Sequence, residues 1–139
     1  MDTQEAHDIL DGYARWWRSE FFLAKANGRV EIVSPVLDRH NDHISGFLAD
    51  DNWAPGGYVL TDMGAALDDL ALSGCDVDGT DSRRQKLDCP VAGYGLERSG
   101  NEIFSRMGKE GLFRSINFMM QGLAAIDDLF FTARSDTRG

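Results

Sequence analysis

The sequence predicts a single α+β domain: an antiparallel sheet of four to five strands, helices packed on one face, and a long C-terminal helix. Three observations predict it. Short strand-like runs, separated by Asn, Asp, Pro and Gly, recur between residues 29 and 60 as in an antiparallel meander. Apolar residues at a 3.6-residue period open and close the chain. The length, 139 residues with 42% hydrophobic and 27% charged, suits one core.

The elements follow in order. Asp2 and Glu5 have the spacing of a capping box, with Asp in place of Ser or Thr. Ala6, Ile9, Leu10, Tyr13, Ala14, Trp16 and Trp17 then recur at helical spacing. Gly12 weakens this helix by up to about 1 kcal/mol. It ends between Arg18 and Phe22, and Asn27-Gly28 marks a turn. Arg29 to Ser34 reads as a strand; Pro35 breaks it, and Val36-Leu37 continue extended. Asp38 to Asp42 make a polar turn, His43 to Ala49 a second strand, Asp50 to Gly57 a loop, and Tyr58 to Leu60 a third strand.

Thr61-Asp62 offers an N-cap to a helix reaching Leu72, ended by Ser73-Gly74. Met63, Ala66, Leu67 and Leu70 form its apolar stripe, opposite Asp68 and Asp69. Thr80 or Asp81 caps a shorter helix through Leu87, which Pro90 limits. Tyr94 to Glu97 and Glu102 to Arg106 make a hairpin around Ser99-Gly100. The last helix runs from Lys109 to Phe131, with Leu112, Ile116, Met119, Leu123, Ile126 and Phe130 on one stripe and Met120 widening it. Such a helix packs on the sheet and leaves part of its face, Met119 and Met120 included, for a second subunit; a homodimer is one reading. Residues 1–132 form the domain, and Ala133 to Gly139 a flexible tail.

Charge narrows the partners. The net charge is −9. From His40 to Ser82 there are nine aspartates and no lysine or arginine, so this third carries the whole net charge. Direct binding to nucleic acid or to an anionic membrane is disfavoured. The aspartates read either as a solvated face or as a surface shaped for a positively charged partner. Short aspartate side chains hold carboxylates in place at less ordering entropy than glutamate. Asp50, Asp51, Asp68, Asp69, Asp76, Asp78 and Asp81 are the candidate phosphate substitutes. Trp53, in the loop, either anchors a partner or folds back over the core.

No stretch has the apolar length of a bilayer span, and the acidic N-terminus is unlike a signal peptide, which predicts a cytoplasmic protein. Cys75 and Cys89 fit that compartment as reduced thiols. Asp38, His40 and Asp42, joined by Asp62, are the residue types that hold Zn²⁺, Mn²⁺ or Mg²⁺, and would serve a metal-dependent phosphoesterase or nuclease. The same string also reads as a turn whose side chains satisfy backbone N–H groups, with His43 pointing elsewhere. No phosphate loop or nucleophile motif is present, and no cofactor is expected. Arg83, Arg84 and Lys86 balance the neighbouring aspartates by surface ion pairs.

The string Ser34-Pro35-Val36-Leu37-Asp38-Arg39-His40-Asn41-Asp42-His43-Ile44 resembles a known family, as does Val59-Leu60-Thr61-Asp62-Met63-Gly64 followed by Leu67 and Leu70. With the Trp16-Trp17 helix upstream, they are similar to the domain of unknown function 1828, a family of phages, prophages and bacterial mobile elements. Val36 departs from the aromatic residue expected after the proline. The resemblance implies no assigned chemistry. It implies a setting in which small acidic proteins block host defence. The function expected is therefore that of an anti-CRISPR inhibitor, neither enzyme nor cofactor-dependent. It would offer an acidic, DNA-mimicking surface to a basic nucleic-acid-binding protein such as a CRISPR effector. A metal-dependent phosphoesterase and a structural or regulatory dimer are the alternatives.

Overall fold

Asp2 starts helix α1 (Thr3–Glu20): its carboxylate accepts the Glu5 N–H at 2.8 Å, satisfying one of the orphan donors of the first turn. The computed structural model describes residues 1–136, and their side chains as far as residue 132. Phe21 leads directly into β1 (Phe22–Ala26), which turns at Asn27 (φ 43°) and Gly28 (φ 78°) into β2 (Arg29–Leu37). Two successive positive φ values are what a tight hairpin needs, and Asn-Gly supplies them. The sequence reading has no strand before Arg29. β1 is the exposed edge of the sheet and only Ala26 in it is even half-buried, so no alternation of apolar and polar residues marks it.

β2 runs through Pro35, not up to it. The β2–β3 register shifts between Val33 and Leu37, so the missing proline N–H falls where the ladder is already interrupted. β3 (His43–Asp50) and β4 (Tyr58–Thr61) complete the meander. Helices α2 (Ala65–Leu72) and α3 (Asp81–Gly93) follow, then the hairpin β5 (Glu97–Ser99) and β6 (Glu102–Met107). α4 (Leu112–Asp127) and α5 (Leu129–Asp136) close the described chain. Thr80 caps α3 by accepting the Arg83 N–H at 3.1 Å, and the helix continues past Pro90, which interrupts it only near its end. The expected single C-terminal helix is two, parted at Asp128, whose N–H closes α4 on Ala124 O at 3.1 Å. α5 takes in the start of the expected tail, and residues 137–139 lie outside the described residues.

The sheet is antiparallel throughout, in the order β1-β2-β3-β4-β6-β5: six strands, one more than the sequence suggests. Paired residues share a face. Ile44, Leu60, Ile103 and Met107 point to the helices and meet Leu67, Leu70, Leu87, Met119, Leu123 and Ile126 in one core. Met119 and Met120 are 0% and 4% exposed, so they belong to the monomer's core and do not form a dimer face. The opposite face, with Phe47, Val59, Phe104 and Arg106, carries no helix. α1 lies on the helix side, beside α4 and the end of β2.

Candidate functional site

The β2–β3 turn is built by Asp38. Its carboxylate accepts the backbone N–H of His40 at 2.8 Å and of Asp42 at 3.0 Å, and Asn41 takes a left-handed φ of 61°. That geometry throws Arg39 inward. Its side chain is 6% exposed. Its guanidinium pairs with Asp127 of α4 and with Asp69 of α2 at 2.7 Å, donates to Ser73 Oγ at 2.8 Å, and stacks on Phe130 at 4.7 Å. Its backbone N–H also donates to Asp127, at 2.8 Å. One buried cation thus ties a turn of the sheet to α2, α4 and α5. It is the residue the sequence reading passed over, although it is the last fixed base before the long base-free stretch.

The β4–α2 connection is built by Asp62, which is 3% exposed. Met63 (φ 59°) and Gly64 (φ 86°) carry the chain through the left-handed region, and Gly64 does so without strain. Asp62 accepts the N–H of Gly64 at 2.8 Å, of Ala66 at 3.0 Å and of Ile103 at 3.0 Å. It therefore caps α2 and fastens it to β6. Burial pushes its carboxyl above the ordinary carboxylate range, against the pull of those three donors, and Glu102 adds to the push.

The four residues of the alternative metal site do not come together. Asp38 and Asp62 line one small pocket of about 130 Å³ with His43, Asp69 and Asp127, but His40 and Asp42 are not on its wall. His40 turns to Asp69, 3.1 Å away, and His43 Nδ1 lies 2.7 Å from Ser34 O. His40 and Asp42 sit in a turn, where the side-chain alternation of a strand does not apply. Among the described residues no three His, Cys, Asp or Glu side chains are placed to hold a metal ion.

The aspartates nominated as phosphate substitutes have separate fates. Asp51 is buried and its carboxylate accepts the Trp53 N–H at 2.9 Å, so it organises its loop and does not face a partner. Asp69 is occupied by Arg39 and His40. Asp78 pairs with Arg98 at 2.6 Å, which holds its carboxyl below the usual range, and Asp81 pairs with Arg84. Asp68 accepts from Asn101 at 2.6 Å, and Asp76 accepts the Asp78 N–H at 3.0 Å. Asp68 and Asp78 thus flank the same β5–β6 hairpin, and both are exposed, as are Asp50, Asp76 and Asp81. Trp53 is 83% exposed beside a shallow basin of about 620 Å³ on the helix-free face, with Arg29, Phe104 and Arg106. Cys75 is buried, and burial raises its thiol pKa.

A larger, apolar groove lies elsewhere. α1 spans 18 residues and buries none of them. Ile9, Leu10, Tyr13 and Trp16 are all more than half exposed, and Tyr13, Trp16, Trp17 and Phe21 form a run of ring contacts at 5.6 to 6.4 Å. Leu10, Tyr13, Trp17 and Phe21 line a groove of about 930 Å³ whose far wall is Phe113, Ile116 and Met120 of α4. The periodicity of α1 was visible in the sequence; that its stripe faces no core was not.

No helix among the described residues is long and apolar enough to cross a membrane. No curated protein and no solved structure matches the chain. A family model does match: the domain of unknown function DUF1828, over residues 34–126, about two thirds of the chain. Both the Asp38-to-Asp42 turn and the Asp62 cap lie inside that span, and the chain belongs to the DUF1828 family.

Proposed function

We propose that this protein works by binding another protein chain and not by catalysis. Helix α1 carries the reading: an 18-residue helix with no buried residue, edged by an apolar groove, is surface that water disfavours and a partner would cover. The carboxylates suited to chemistry support it as well. Asp38, Asp62, Asp69 and Asp127 are committed to backbone N–H groups or to Arg39. The two free thiols, Cys75 and Cys89, favour the cytoplasm as the place of action.

A second reading keeps the acidic edge as the working surface: an anti-defence inhibitor of a basic nucleic-acid-binding protein, such as a CRISPR effector. The convergence of Asp68 and Asp78 on one hairpin favours it. Capture from an extract of a host carrying defence systems separates the two. Leu10→Glu with Phe113→Glu alters only exposed groove positions. Loss of capture by that variant, and retention by Asp68→Lys with Asp76→Lys, supports the groove. The opposite pattern supports the acidic edge. Capture unchanged by both variants overturns both readings.

A further inference from the structure

We infer that α1 pairs antiparallel with α1 of a second copy of this chain, about a twofold axis near Gly12; this deepens the association reading above and rests on it. Ile9 and Trp16 are seven residues apart, two turns along one face, and are 60% and 51% exposed. Directly before each stands a charge of opposite sign, Asp8 and Arg15, also two turns apart on one flank. An antiparallel twofold sets Ile9 against Trp16 of the second copy and Asp8 against Arg15 of the second copy, each contact made twice.

Gly12 lies at the midpoint. It is a poor helix former, and a Cβ there would meet only the Arg15 guanidinium, at 3.9 Å. Its bare backbone is what lets two helices approach closely at a crossing. Asp8 is bonded only to the Gln4 side chain, at 2.9 Å, and Arg15 has no ion pair among the described residues, so both heads are available. On that face Ile9, Tyr13 and Trp16 offer about 100 Å² each at ordinary side-chain areas. With their polar flanks, two copies bury less than the about 1,200 Å² of standard interfaces, in the range of weak, transient pairs. For so small an interface a weak pair, with a dissociation constant of micromolar order, is the expected outcome.

The test is charge exchange in the full chain, read by sedimentation and light scattering over a dilution series from about 100 μM to about 1 μM, which spans a micromolar dissociation constant. Wild type should run at twice its 15.4 kDa mass. Asp8→Arg and Arg15→Glu should each weaken the dimer about tenfold or more, since each turns two attractive pairs into two repulsive ones. An equimolar mixture of the two variants should recover a dimer of one of each, which a misfolded variant could not do. A monomeric wild type, single variants that dimerise like wild type, or a mixture that stays monomeric each overturns the pairing. A monomeric wild type whose capture of another protein is lost in Leu10→Glu with Phe113→Glu sinks the dimer alone; capture unchanged by that variant sinks the association reading too.

Discussion

Replacing Arg39 by methionine keeps much of the apolar stem packed against Phe130 and deletes the guanidinium. The Asp127 side chain, 12% exposed, would then be a carboxylate without its cation. Breaking a buried ion pair from one side costs about 3–5 kcal/mol. The pair with Asp69 adds little, because that carboxylate is 40% exposed and water replaces the cation. The net loss should be about 3–5 kcal/mol, a large share of the 5–15 kcal/mol that holds a typical domain folded. Adding Asp127→Asn removes the stranded charge and leaves an acceptor for the Arg39 backbone N–H, now 2.8 Å from the carboxylate. The double variant should therefore recover most of the loss and end within about 1–2 kcal/mol of wild type. Urea unfolding followed by far-UV circular dichroism measures both, at one protein concentration so that self-association contributes equally, and with the slope m as a check that the unfolded state is unchanged. A single variant within about 1 kcal/mol of wild type, or a double variant no more stable than the single, would refute the buried-cation argument.

Two further outcomes are expected. Asp78 is held ionised by Arg98, so its contribution to stability is present above the unfolded carboxylate value near 4 and is lost as pH falls through its lower folded value. Asp78→Asn should cost less than about 1 kcal/mol at pH 7, because the pair is half exposed, and the gap to wild type should close in acid; a gap independent of pH would contradict the assignment. A thiol reagent should label Cys89 quickly in the native protein and Cys75 only on unfolding, since Cys75 is 5% exposed; equal labelling rates would contradict its burial.

What was legible in the sequence was what depends on near neighbours in the chain. The Asp2 cap, the Asn27-Gly28 turn, the Thr80 cap and the stripe of α4 follow from local dihedral preference and period. So does the Asp38-to-Asp42 turn, one of the two alternatives open at that string, because an aspartate reaching N–H groups two and four residues on needs no tertiary partner. The edge strand β1 was not legible. Its identity comes from its pairing with β2, and an edge with both faces wet carries no hydrophobic signature.

Partnering was decided only in three dimensions. Most of the nine aspartates have no base near them along the chain. Three of them find cations: Asp69 in Arg39, Asp81 in Arg84, and Asp78 in Arg98, twenty residues along the chain. The same holds for apolar faces: α1 and α4 share a period, but the stripe of α4 is buried against the sheet and that of α1 is not. Period reports that a helix has a face. Which face is covered depends on what the rest of the chain brings against it, and that is a property of packing between segments distant in sequence.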